Sequence, residues 1–201
     1  MKNMETDMEE FDKLRQLLIA DRSVRRFRQQ PIGRETLHSL VELTRYCASG
    51  RNLQPLRYRI VSDPEQCSDI FPYTKWAGYL TEWDGPALEE RPVAYLVQCL
   101  DTALTTNCLC DDGLQLQAIT LGATALGLGA CIIKSFNAER ICSILSLPEH
   151  LRPLYVVALG YPAEKIELVD MAADGDFRYY RTPDQIHHVP KRKLSQLIIS
   201  D

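Results

Sequence analysis

Residues 113–133 read GLQLQAITLGATALGLGACII, 21 positions without a formal charge. A run of that length could cross the ~30 Å hydrocarbon core of a bilayer. Gln115, Gln117, Thr120 and Thr124 are strewn through it, however, and Gly127 and Gly129 interrupt its end, so it reads as a buried element. Asp111 and Asp112 precede it, supplying an N-cap and favourable charge for a helix dipole. The expectation is a helix over Leu114 to Leu126, ended by Gly127 to Gly129 and followed by a short strand over Ala130 to Ile133. Apolar or small residues occupy nearly every side of this helix, which predicts burial all round. A helix wholly enclosed in a chain of 201 residues is hard to arrange unless a second subunit covers one face.

Outward from this run, helices and strands interleave. Phe11, Leu14, Leu17 and Leu18 recur at helical spacing, followed by an Arg22 to Gln30 stretch too charged for core and by Pro31, which closes the helix. Leu37, Leu40, Val41 and Leu43 mark a second amphipathic helix over Thr36 to Cys47. Ala48 to Pro55 gathers small, amide and Pro residues and reads as a loop. Arg57 to Ser62 alternates as a half-buried strand, and Asp63-Pro64-Glu65 starts a helix over Cys67 to Phe71. Val93 to Leu100 is apolar almost throughout, as a central strand should be. Asn137 caps a helix through Leu147, and Leu154 to Leu159 is a strand stopped by Gly160-Tyr161-Pro162. Without a regular β-α-β rhythm, this order points to an α+β fold, with residues 1–201 forming one domain.

Composition narrows the function. With 23 basic against 27 acidic side chains the net charge is −4, which provides no global field toward nucleic acid or an anionic membrane. Seven cysteines, an odd number without the dense pairing of a secreted module, read as reduced thiols in the cytoplasm. Residues 1–10 form neither a secretory signal nor a basic transit peptide. Cys108-Leu109-Cys110 and His187-His188 lack the paired spacing of a structural zinc site, so no metal is expected. Dinucleotide, P-loop, HExxH and GxSxG signatures are missing.

Three groupings remain, each with two readings. In Arg22-Ser23-Val24-Arg25-Arg26-Phe27, guanidiniums and a hydroxyl can grip a phosphate, or form a solvated basic edge. Asn52-Leu53-Gln54-Pro55 can offer amides to a heterocycle edge, or be a turn. Pro190-Lys191-Arg192-Lys193 is either a third anion contact or a surface charge run.

Together the groupings resemble the FMN-dependent nitroreductase family. The first is similar to its R-S-x-R-x-F motif and the second to its N-x-Q-P loop. Asp112-Gly113-Leu114 through Gly127-Leu128-Gly129-Ala130-Cys131 is similar to its long central helix and G-L-G turn. Leu159-Gly160-Tyr161-Pro162 resembles the L-G-Y-P ending its last core strand, and Lys191 to Leu194 sits where its closing basic motif falls. The matches run in order from about residue 14 to residue 198. One departure is Asp21, where many members have a basic residue, which leaves more of the phosphate grip to Lys191 and Lys193.

The resemblance implies a mainly antiparallel central sheet flanked by helices, with the long buried helix at a homodimer interface that holds two FMN sites. Arg22, Ser23, Lys191 and Lys193 would hold the FMN phosphate. Arg25 would lie near the pyrimidine end of the ring as an electrostatic stabiliser, Asn52 and Gln54 would bond the polar ring edge, and backbone at Gly129, Cys131 and Ile132 would approach the ring. The implied activity is hydride transfer from NADH or NADPH through FMN to an electron-poor small molecule such as a nitroaromatic or quinone. Alternatives on the same residues are a non-catalytic FMN-binding storage or sensing protein, and a same-fold flavin enzyme that dehalogenates or fragments flavin. Tyr73, Trp76, Tyr79 and Trp83 form an aromatic run, in which Trp76 and Trp83 either line a lid over the acceptor or pack a helix face.

Overall fold

A computed structural model describes residues 4–199. Helix α1 (Met4–Ala20) leads into the two-residue strand β1 (Phe27–Arg28), and α2 (Arg34–Glu42) runs into a 3-10 turn at Leu43–Tyr46. Strand β2 (Leu56–Val61), helix α3 (Pro64–Ile70), strand β3 (Ala94–Asp101), helix α4 (Asp111–Ala125), strand β4 (Gly129–Ile133), helix α5 (Ala138–Leu145) and strand β5 (Leu151–Pro162) follow. Three further strands, β6 (Lys165–Asp170), β7 (Tyr180–Arg181) and β8 (Ile186–Lys191), complete the set.

The main sheet is antiparallel, with β3 between β2 and β5 and with β4 and β1 also paired to β5. All eight residues of β3 are buried, as a central strand requires. Period-two alternation divides the core between the two faces. Ala94, Leu96, Val157 and Leu159 pack with Leu37 and Leu40 of α2 and Leu116, Ile119 and Ala123 of α4. Tyr95, Val97, Val156 and Ala158 pack with Cys67 and Ile70 of α3 and Ile141 and Leu145 of α5. Asp63 and Asn137 cap α3 and α5 by accepting from the backbone N–H of Gln66 and Arg140.

Local signals misplaced several boundaries. Helix α1 ends at Ala20, well before Pro31, and the charged stretch after it supplies core residues, since Val24 and Phe27 are buried. Cys110, not an aspartate, occupies the N-cap of α4. Buried Asp111 instead accepts from Gly50 N–H (2.9 Å) and Ser49 Oγ (2.6 Å), fastening the 48–55 loop to the helix start. Strand β5 is not stopped at Gly160 but runs on through Pro162, where Phe27 and Arg28 pair with it. The second sheet, β6-β8-β7 with β6 and β8 parallel, lies beyond the last strand read from the sequence, in short strands of which only Lys165-Ile166-Glu167-Leu168 alternates.

The prediction that α4 is enclosed on every side fails within one protomer. Leu116, Ile119 and Ala123 are buried, whereas Leu114 is 44% and Leu126 53% exposed. Helix α1, which contacts α4, likewise leaves Phe11, Leu14, Leu18 and Ile19 exposed. No helix among the described residues is long and apolar enough to cross a membrane.

Candidate functional site

The Arg22–Phe27 string is seated on two glycines. An isolated parallel bridge pairs Ser23 with Ala130, and Val24 N–H donates to Ala130 O at 2.9 Å. A Cβ on Gly129 would stand 2.7 Å from Val24 Cβ, and one on Gly160 would stand 2.7 Å from Phe27 Cδ1. Only bare backbone permits the string to lie this close to β4 and β5.

A buried carboxylate holds the string from behind. Glu164, its side chain 1% exposed, accepts from the backbone N–H groups of Arg25 and Arg26 and from Arg181 Nη2 at 2.9 Å. Trp83 lies beneath both Arg181 (4.7 Å) and Arg26 (5.8 Å). Neither Glu164 nor Arg181 was a candidate from sequence, because their value depends on partners that no local pattern connects to them.

In front of the string opens a cleft of about 320 Å³ lined by Asp21, Arg22, Ser23, Arg25, Gln117, Thr120, Ala130, Ile132, Tyr179, His187, Val189 and Lys191. Three cations thus face one carboxylate, and that carboxylate is engaged. Asp21 Oδ2 accepts from Gln117 Nε2 (2.6 Å) and Thr120 Oγ1 (2.7 Å), tying the end of α1 to α4. Arg22 donates through Nη2 to Leu18 O (2.6 Å), while its buried Nε has no partner among the described residues. Ile132, Ala130 and Val189 give the cleft an apolar side. The set suits an anion attached to a partly apolar body.

Of the residues expected here from sequence, the fold brings together Arg22, Ser23, Arg25, Ile132 and Lys191. Gly129 and Cys131 are buried and absent from the cleft lining, and burial pushes the Cys131 thiol up to about 11, so it stays protonated. Lys193 is exposed beyond β8 and does not line the cleft. Asn52 and Gln54 also lie outside it, on an exposed loop in which Arg51, Asn52 and Gln54 all have positive φ (54°, 56° and 50°). Three consecutive-region outliers of this kind are costly and are held only where surroundings enforce them; here Asp111 and Ser49 do so, Ser49 Oγ accepting from Gln54 N–H at 2.9 Å. Neither Trp76 nor Trp83 lines the cleft of a single protomer. Trp76 is buried, stacked on Phe71 and donating through Nε1 to Thr74 Oγ1, and Trp83 supports the arginines. Tyr79 is the member of that run that reaches toward the site, its ring 5.0 Å from Tyr179.

His187, dismissed as a metal ligand from sequence, enters the site in another role. Its Nε2 lies 3.2 Å from Arg25 Nη1. A guanidinium can only donate, so Nε2 accepts and the ring proton resides on Nδ1, a buried atom without a partner among the described residues. Burial first, then the charges of Arg25, Arg181 and His188, push its pKa from 6.5 down to about 4, which keeps the imidazole neutral. An unfolded chain takes up this proton near 6.5 and the folded protein only near 4. Stability is therefore lost as pH falls through that window and levels off below it. The loss is on the order of 3 kcal/mol at one unit per 1.4 kcal/mol. Urea unfolding at about pH 7 and about pH 4.5 checks this sign: His187→Gln should lose distinctly less stability than the parent, and equal losses would remove His187 as the cause.

Known proteins bear on what the cleft holds. The profile of the Nitroreductase family matches residues 20–95 and 109–161. The chain is 24% identical to an FMN reductase (NADPH) of Bacillus subtilis over 189 residues, covering 85% of this chain and 76% of that protein. It is 28% identical to an NADH dehydrogenase of Thermus thermophilus over 180 residues, covering 72% and 84%. Among solved structures, the NADPH:FMN oxidoreductase of Vibrio harveyi in complex with NAD+ superposes with a TM-score of 0.61 at 25% identity, covering 79% of this chain and 73% of that one.

Proposed function

The chain belongs to the nitroreductase family and is an NAD(P)H-dependent FMN oxidoreductase; from that premise we propose that the Arg22–Lys191 cleft is its FMN site and that its acceptor is an electron-poor aromatic or quinone. The observation that carries the assignment is the cleft's donor set. Arg22 has a buried Nε without a partner among the described residues, Ser23 is exposed, and Lys191 lines the same cleft; together they match a phosphate. Arg25, which lines the same cleft, supplies a fixed cation for a ring that gains negative charge on reduction. Bound FMN supplies the two-electron redox chemistry, and the protein supplies binding, orientation and electrostatics. Ile132 and Val189 displace water from the ring side of the cleft, which strengthens the field of Arg25.

Asn52 and Gln54 serve the same site only from a second copy of the chain, since each protomer holds them outside its own cleft. A homodimer also accounts for the exposed apolar faces of α1 and α4, which a lone protomer would leave as a large patch. Sedimentation velocity reads this directly: a monomer at micromolar concentration would remove Asn52 and Gln54 from the site.

The function itself is tested by the absorbance spectrum of the purified protein and anaerobic addition of NADH, then NADPH, followed by a nitroaromatic and a quinone. Flavin bands that bleach with a donor and return with an acceptor are expected. Bound flavin that neither donor reduces would instead favour a storage or sensing role.

The placement of Asp21 carries a further expectation. Its carboxylate adds a negative charge to a cleft that takes an anion, while its two hydrogen bonds need only an acceptor oxygen. Asp21→Asn keeps that oxygen and removes the charge, so FMN binding should tighten about five-fold at low ionic strength and less at high salt. Fluorescence titration of the FMN-free protein measures it; equal affinities would put the carboxylate out of reach of the phosphate.

A further inference from the structure

The family profile stops at residue 161, yet one wall of the cleft is built by the small sheet beyond it. Tyr179 immediately precedes β7 and His187 lies in β8. Both act on one group. The Arg25 guanidinium stands 4.8 Å from the Tyr179 ring centroid, and its Nη1 donates to His187 Nε2 (3.2 Å) and to Ser23 O (3.1 Å).

The wall is itself braced. The Tyr179 ring is 5.1 Å from His187 on one side and 5.0 Å from Tyr79 on the other, and Tyr79 N–H donates to Tyr179 Oη at 3.4 Å. His187 is fully buried and neutral, so it accepts from Arg25 without adding a second cation beside it. A free arginine side chain would sample many rotamers, each placing its charge elsewhere. Here an aromatic face and a fixed acceptor select one.

Resting on the FMN assignment above, we propose that Tyr179 and His187 are positioning residues for Arg25. They fix its guanidinium at one place in the cleft, and that place sets how much more tightly the cleft binds reduced FMN than oxidised FMN. Charge that appears only on reduction is stabilised by a cation already in position, with no reorganisation to offset the gain. Neither residue needs to touch the cofactor.

The test is the midpoint potential of the FMN-loaded protein, measured by anaerobic equilibration with reference dyes. In Tyr179→Leu the preference for reduced over oxidised FMN should fall about ten-fold, a shift of about 30 mV to more negative potential for a two-electron couple. Tyr179→Phe, which retains the ring, should match the parent. His187→Leu should shift in the same direction, and His187→Gln, which restores an acceptor, should recover most of the loss. In an Arg25→Ala background Tyr179→Leu should shift nothing further, because the effect passes through Arg25. A Tyr179→Leu protein at the parent potential, or one that shifts equally with and without Arg25, overturns the proposal. So does loss of FMN from Tyr179→Leu, which would make the ring part of the binding site. A parent protein that neither carries nor takes up FMN defeats the cofactor assignment itself, a different result from any of these.

Discussion

Glu164→Ala should lower folding stability by about 3–5 kcal/mol, the largest effect expected of any polar substitution in this protein. Two losses combine. Arg181, its side chain 9% exposed, is left as a buried charge without its anion, and the backbone N–H groups of Arg25 and Arg26 lose their acceptor. Each buried orphan costs free energy that water cannot return. In a chain of this length the melting temperature should fall by roughly 10 °C or more. Glu164→Gln, which retains an acceptor and drops the charge, should cost less. The double change Glu164→Leu with Arg181→Leu should recover much of the loss, because removing both partners leaves no uncompensated charge. Urea denaturation of the four proteins checks the order. A Glu164→Ala protein within about 1 kcal/mol of the parent would show that the carboxylate does not hold the string.

The second large effect concerns the cofactor. On the proposed assignment, Arg22→Ala and Lys191→Ala should each weaken FMN binding by about 10- to 100-fold, the equivalent of a charge-assisted hydrogen bond of about 1.5–3 kcal/mol. The pair should abolish binding at micromolar concentration. Arg22→Lys should restore part of the affinity, because the charge returns but the fork does not. High salt should weaken the parent more than either variant. Equilibrium titration of the FMN-free proteins with FMN, followed by flavin fluorescence, gives all of these values. If both alanine variants bind FMN as the parent does, the phosphate lies elsewhere. Riboflavin, which lacks the phosphate, should bind the parent no better than FMN binds the double variant.

These two experiments separate the parts of the site by their origin. On the proposed assignment, Arg22 and Lys191 act on the ligand through their own chemistry, and both belong to dense cationic groups in the sequence. Glu164 acts on the string that carries Arg22, and nothing in the residues around it signals that work.

The amino-acid sequence determined the helices, most of the main sheet and the cationic groups of the cleft. Periodicity, Asp63 and Asn137 as caps, and the apolar run of β3 placed the helices and the main sheet, because such signals depend on neighbours within a turn or a strand. The order of Arg22-Ser23-Val24-Arg25-Arg26-Phe27, Asn52-Leu53-Gln54-Pro55 and Lys191 carried the family. Tertiary structure alone decided that Glu164 reaches back 139 positions to the N–H of Arg25 and that His187 meets its guanidinium across 162. It also placed Asp21 against Gln117 and Thr120 and left Asn52 and Gln54 outside the cleft. Hydrogen bonds and ion pairs form between groups that packing brings within about 3 Å, and separation along the chain does not enter that condition, so no local pattern could have shown them.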